Sequence, residues 1–177
     1  MTLDNMVGRG LEKAGSDKRE ISRYLEKIRR KIEDSRNRTI HLDTRFDIAF
    51  EALLQIALAA LRANGYRTTS AAGHQQLAIQ LLPKSIGIAS AEIRTLDEYR
   101  KKRSIGLYEA DFDPSEQEVK AVTGAVDVLL KAFVSWIGKN HPELLEPEPR
   151  SGKDSTKKSG KTTAKVRPRV SQSRRNL

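Results

Sequence analysis

Two arginines occupy positions where a helical repeat asks for apolar side chains. Ile93, Leu96, Arg100, Arg103 and Leu107 step by three, four, three and four residues, so in a helix all five share one face. Such arginines have two readings. Their aliphatic stems can cover apolar neighbours while the guanidinium groups reach water or a carboxylate. Alternatively the pair, beside Lys101 and Lys102, forms an anion site, because a guanidinium holds two phosphate oxygens through parallel hydrogen bonds. Tyr108 follows Arg103 by five residues, with Ser104 and Gly106 between them. A phenol can hydrogen-bond a phosphate or stack on a base, or it can be an ordinary interface residue. In a regular helix residues five apart diverge by about 140°. Arg103 and Tyr108 are therefore expected to share a polar pocket only if the helix deviates near Gly106 or a second chain supplies one of them.

Other chemistry is thinly represented. His41, His74 and His141 have no metal-ligand spacing and there is no cysteine, so no metal or other cofactor is expected. No glycine-rich phosphate loop, nucleophile elbow or meaningfully spaced carboxylate pair is present. His74, in Gly73-His74-Gln75-Gln76, either caps or packs the start of a helix or approaches the Arg103 pocket. The strongest charge feature is terminal. Residues 150–177 hold ten basic residues against Asp154, which places +9 of the chain's +10 there. Lys157, Lys158, Lys161, Lys165, Arg167, Arg169, Arg174 and Arg175 are candidate nucleic-acid contacts. With no aromatic residue the segment offers charge alone, so its binding should tolerate any sequence and fall steeply with salt; otherwise it is a solvated tail without function.

The elements that must position these residues read as helices. Ile21, Tyr24, Leu25, Ile28 and Ile32 mark a long amphipathic first helix from about 16 to 38. Asp43 or Thr44 can cap a second, ending at Asn64-Gly65. Between Phe46 and Leu61 its polar residues are Asp47, Glu51 and Gln55, one narrow stripe on an otherwise apolar cylinder, so this helix is expected to be buried on most sides, and a homodimer is expected to cover what five helices leave open. Thr68-Thr69-Ser70 offers caps for a short third helix closing at Leu82-Pro83, a fourth runs from about Ser90 past Arg103, and a fifth begins at Asp113-Pro114. No alternating strand pattern competes. Three prolines among residues 142–149 predict an extended linker, and the 28 residues after it contain four apolar side chains, too few to offset ordering entropy.

The expected organisation is thus a flexible N-terminus (1–15), a helical bundle (16–140), a Pro/Glu linker (141–149) and a disordered basic tail (150–177). Residues 52–61 are about half of what a bilayer requires, so no membrane span is expected. The absence of cysteine and of an apolar leader points to a cytoplasmic location.

Gly73-His74-Gln75-Gln76, Leu81-Leu82-Pro83 and Tyr99-Arg100-Lys101-Lys102-Arg103 followed by Tyr108 resemble the HEPN domains of prokaryotes. So does the order of elements: an apolar helix ending at Asn64-Gly65-Tyr66, a short helix with Gly-His, an Arg-rich helix and a last apolar helix. The resemblance spans about residues 40–138. It implies an all-α, up-and-down bundle of about five helices, often dimeric, among proteins many of which are RNA-cleaving toxins, antitoxin partners or defence components. A partner antitoxin or nucleotidyltransferase is a further implication. The family's active-site motif is an arginine followed four to six residues later by histidine. Carried over, the arginine falls on Arg103, the polar residue after it on Ser104, and the histidine position on Tyr108. That departure bears on catalysis. An imidazole exchanges protons near neutral pH, whereas phenols titrate near pH 10, so metal-independent ribonuclease activity is expected to be weak or lost. The rival reading is a non-catalytic bundle that dimerises or binds a partner protein while its tail supplies nucleic-acid affinity.

Overall fold

The computed structural model describes residues 2–109 and 111–145; the end of the linker and the basic tail, with Lys157, Lys158, Lys161, Lys165, Arg167, Arg169, Arg174 and Arg175, lie outside the described residues. The fold is all-α apart from one small ribbon. In chain order it has a 3-10 turn (Asp4–Met6), β1 (Leu11–Lys13), α1 (Lys18–Arg36), α2 (Leu42–Ala63), β2 (Tyr66–Thr68), α3 (His74–Gln80), α4 (Leu82–Ser85), α5 (Ser90–Tyr108), α6 (Glu116–Asn140) and a closing 3-10 turn (Pro142–Leu144).

The amphipathic spacing of the first helix translates directly into burial. Ile21, Leu25, Ile28 and Ile32 of α1 are all buried in the core of the bundle, and Asp17 caps the helix by accepting a hydrogen bond from the Glu20 amide at 2.7 Å. Polar ties set its direction against α2. Glu20 meets Arg62, Lys31 meets Glu51, and the Ser35 carbonyl meets Arg45; as one number rises the other falls, so the two helices are antiparallel. α2 is the central element and packs on α1, α6, α5, α3 and β2. Its polar stripe is only partly open to water. Asp47 turns to α5, Glu51 to α1, and Gln55 Oε1 is buried without a hydrogen-bond partner.

Several local expectations are corrected. The N-terminus is anchored rather than flexible: Leu11 is fully buried and Leu3 nearly so, and β1 pairs antiparallel with β2 in the register Leu11↔Thr68 and Lys13↔Tyr66. Three-residue strands are too short to print an alternating pattern. Gly10, at φ +106°, lies so close to Leu77 that a Cβ there would sit 2.6 Å from Leu77 Cδ2, and this close approach allows the arm to dock. Thr68 is spent in the ribbon, so α3 starts later, after Gly73 in a left-handed conformation. Pro83 opens the separate turn α4 instead of merely closing α3. α2 starts at Leu42 with no side-chain cap. α6 starts after Ser115, where Ser115 and Glu118 form a reciprocal capping box, and Pro114 is buried ahead of it. The bundle also passes Asn140, because Leu144 and Leu145 pack on the core and turn the start of the linker into a 3-10 turn.

By length and composition alone, α6 is long and apolar enough to cross a bilayer, which the sequence reading placed on no segment. Here its apolar stripe, with Val126, Phe133 and Ile137, is buried in the core of the bundle.

Candidate functional site

A cleft of about 360 Å³ opens between α5 and the segment that leads from β2 into α3. Its wall on one side comes from Ser70, Gly73, His74 and Gln76, and on the other from Arg100, Arg103, Ser104 and Tyr108, with Phe50 of α2 at its floor. The N-terminal arm helps place the first wall. The Thr69 amide donates to the Gly10 carbonyl at 2.9 Å, extending the ribbon up to the loop before His74. His74 is the first residue of α3, and its Nδ1 lies 3.2 Å from the Ala71 carbonyl, so the half-buried ring is held against its own loop.

The second wall follows the stripe read from the sequence. Leu96 is buried in the core, while Arg100 and Arg103 are three-quarters or more covered at the point where the stripe emerges, and Leu107 is exposed. Arg100 Nε donates to Asp97 Oδ1 at 2.6 Å, which holds the side chain along its own helix. Arg103 is placed differently. Its guanidinium carbon lies 5.4 Å from the Phe50 ring centroid, a cation–π contact over a fully buried phenyl. Its Nε is 3.5 Å from Asp47 Oδ1, yet this buried donor has no hydrogen-bond partner among the described residues. Burial raises the Asp47 carboxyl above its ordinary range, an effect that the Arg103 charge opposes and Glu51 and Asp43 reinforce.

Arg103 and Tyr108 line the same cleft without a break in the helix. The Glu109 amide still donates to the Ile105 carbonyl at 2.8 Å, so the ladder runs through Gly106, against the expectation of a deviation there. Tyr108 is the last residue of α5 and its ring is mostly exposed, so at the helix end its side chain reaches the rim that Arg103 reaches from inside. Gly106 packs against the α5–α6 connection, since a Cβ there would come 3.4 Å from both the ring and the carbonyl of Phe112.

Lys101 and Lys102 do not join the cleft. Lys101 pairs with Glu98 at 2.8 Å and Asp97 at 3.8 Å, and Lys102 crosses to Glu118 of α6 at 2.7 Å. That last contact, with the Ser115 cap, holds the Glu118 carboxyl down at about 2 against an ordinary 4.5. A carboxyl depressed in the folded state contributes stability that is complete above its unfolded value and is lost as pH falls toward the folded value. Melting temperature is therefore expected to drop between pH 4.5 and about 2, and Glu118→Gln should flatten that acid limb in thermal melts. An unchanged slope would mean that the tie between the site end of α5 and α6 carries no stability.

Sequence reasoning missed Phe50 and Asp47 as neighbours of Arg103, and nothing local to either residue signals the contact. Among the described residues no group of three or more acidic, histidine or cysteine side chains is arranged to hold a metal ion. No family model, no curated protein and no solved structure matches this chain.

Proposed function

We propose that this chain is a HEPN-like, RNA-associated bundle whose cleft between α3 and α5 receives a backbone phosphate. One observation carries the reading: His74 and the Arg100, Arg103, Ser104, Tyr108 group, 26 residues or more apart in sequence, line one concavity of about 360 Å³. Two guanidinium groups, an imidazole and two hydroxyls suit an oxyanion better than an apolar ligand. Arg103 supports it in a second way, because its guanidinium rests over Phe50 and makes no hydrogen bond to a carboxylate among the described residues, which leaves its terminal N–H groups to offer an oxyanion. Tyr108 at the rim offers an exposed ring on which an unpaired base can stack. The same reading places the chain in a toxin–antitoxin or defence setting, with ribonuclease activity weak or lost.

Binding by the cleft and by the basic tail separates on salt dependence. Removing residues 150–177 is expected to flatten the slope of RNA affinity against salt, since +9 of the net charge leaves, while helicity and melting temperature stay nearly unchanged. The truncated chain should retain weaker binding to single-stranded RNA, and Arg103→Ala in that background should remove it. If truncation alone abolishes binding at low salt, the tail is the whole interface and the cleft reading fails.

A further inference from the structure

A second concavity, of about 470 Å³, lies where the α1–α2 connection meets the start of α6, lined by Arg38, Ile40, His41, Leu42, Arg45, Glu116 and Lys120. Its cations come from three parts of the chain. Arg45, on the first turns of α2, is almost completely buried; its Nε donates to the Ser35 carbonyl at 2.8 Å and its two terminal nitrogens to Glu116 at 2.8 and 3.3 Å. Glu116, the only carboxylate lining this pocket among the described residues, is thereby neutralised. Arg38 and Lys120 are exposed, and among the described residues neither lies within ion-pair distance of a carboxylate. The Arg38 backbone is held in place, because Asn37 Oδ1 accepts from both the amide and the hydroxyl of Thr39 at 3.0 and 2.9 Å. Two cations without an ion-pair partner among the described residues therefore border a pocket in which Arg45 already holds the Glu116 carboxylate. The Glu116 carboxyl is held below its ordinary range, first by the Arg45 hydrogen bond and also by the charges of Lys120 and Arg38, so all three cations act at one point.

We infer that this pocket is a phosphate site for a small phosphorylated molecule, held by Arg38 and Lys120 with His41 and the edge of Arg45. Its volume exceeds that of a bare phosphate and suits a nucleotide-sized ligand. It is separate from the first cleft. Leu42 and Phe50 are eight residues apart on α2, about 12 Å along its axis, and between them lies a third hollow lined by Asp43, Asp47 and Asp113 with Arg103 as its one cation among the described residues. A phosphate strand joining the two basic clefts would have to cross three carboxylates of which Arg103 offsets only Asp47, a net negative stretch that repels it. A discrete small phosphate meets no such obstacle.

The test titrates the full-length, isotope-labelled chain with inorganic phosphate, a nucleoside monophosphate and a short single-stranded oligonucleotide, each at ionic strength fixed with chloride, reading amide shifts by NMR. Saturable shifts confined to residues 38–46 and 116–120 with phosphate or the mononucleotide are expected, distinct from any in the tail. Arg38→Ala with Lys120→Ala, both exposed and so expected to leave the fold intact, should weaken this binding by about tenfold or more, while Arg103→Ala leaves it unchanged. Should the double variant alter the amide spectrum globally, Lys120→Gln alone is read instead, with a smaller loss in the same direction. No saturable shift at these amides, equal affinity in the variants, or saturation by the oligonucleotide alone with an equal loss on Arg103→Ala would each overturn the inference. The last outcome would make the pocket an extension of the first cleft.

Discussion

Phe50→Ala is expected to lower stability by about 3–5 kcal/mol, on the order of 10 °C in melting temperature for a domain of this size. Phe50 is among the largest fully buried side chains and lies in the main core cluster. Truncation removes its transfer free energy and leaves a cavity that rigid helices on several sides cannot close. It also removes the ring against which Arg103 rests at 5.4 Å. The cleft should therefore lose affinity for single-stranded RNA even under conditions where the variant is still folded. Phe133→Ala is the matched control, since Phe133 is equally buried on α6 and does not line the cleft. It should cost a similar amount of stability with little change in affinity at a temperature where both variants are folded. If the two variants lose RNA affinity equally, the contact with Arg103 does not organise the site.

Arg103→Ala is expected to abolish whatever RNA binding and cleavage the tail-less bundle has, without unfolding it. The Arg103 side chain makes no hydrogen bond among the described residues, and its removal leaves behind the Asp47 carboxylate, which is half-exposed and so can be solvated by water. Tyr108→His addresses the chemistry instead of the binding. An imidazole at the mouth of the cleft can exchange a proton near neutral pH, which a phenol does poorly, and general acid–base catalysis of this kind contributes about 10²–10⁴-fold. The exposed position at the end of α5 accepts the replacement without repacking. Incubation of the two variants and the parent with total RNA, followed by gel analysis, is expected to show increased cleavage for Tyr108→His, little for the parent and none when Arg103→Ala is added. Cleavage that persists in the Arg103→Ala chain would place the activity elsewhere, and a Tyr108→His chain no more active than its parent would favour a fold kept for interaction alone.

Much of this architecture was legible in one dimension. Periodicities of three and four in α1, α2 and α6 report which face is buried, because an amphipathic helix carries its environment in its own spacing. The same logic located the stripe on α5 and singled out Arg100 and Arg103 as cations on a packing face. Short-range signals were less reliable. Asp43, Thr44, Thr68 and Asp113 are all competent caps, yet α2 is uncapped, Thr68 belongs to a strand and Ser115 caps α6, since tertiary contacts choose among equivalent local options. The N-terminal arm read as flexible because its order comes from partners more than 50 residues away, Thr68 and Leu77, which no local window contains. Charge was the least legible property of all. Sequence counts Arg100, Lys101, Lys102 and Arg103 as one basic run, but a helix turns them to different sides, and three of the four find a carboxylate within hydrogen-bonding reach. Only the packing of α2 against α5 set Arg103 over Phe50 beside Asp47, and only the docking of α3 brought His74 to face it. A residue's type states which interactions it can make; long-range packing decides which of them it has left to offer a ligand.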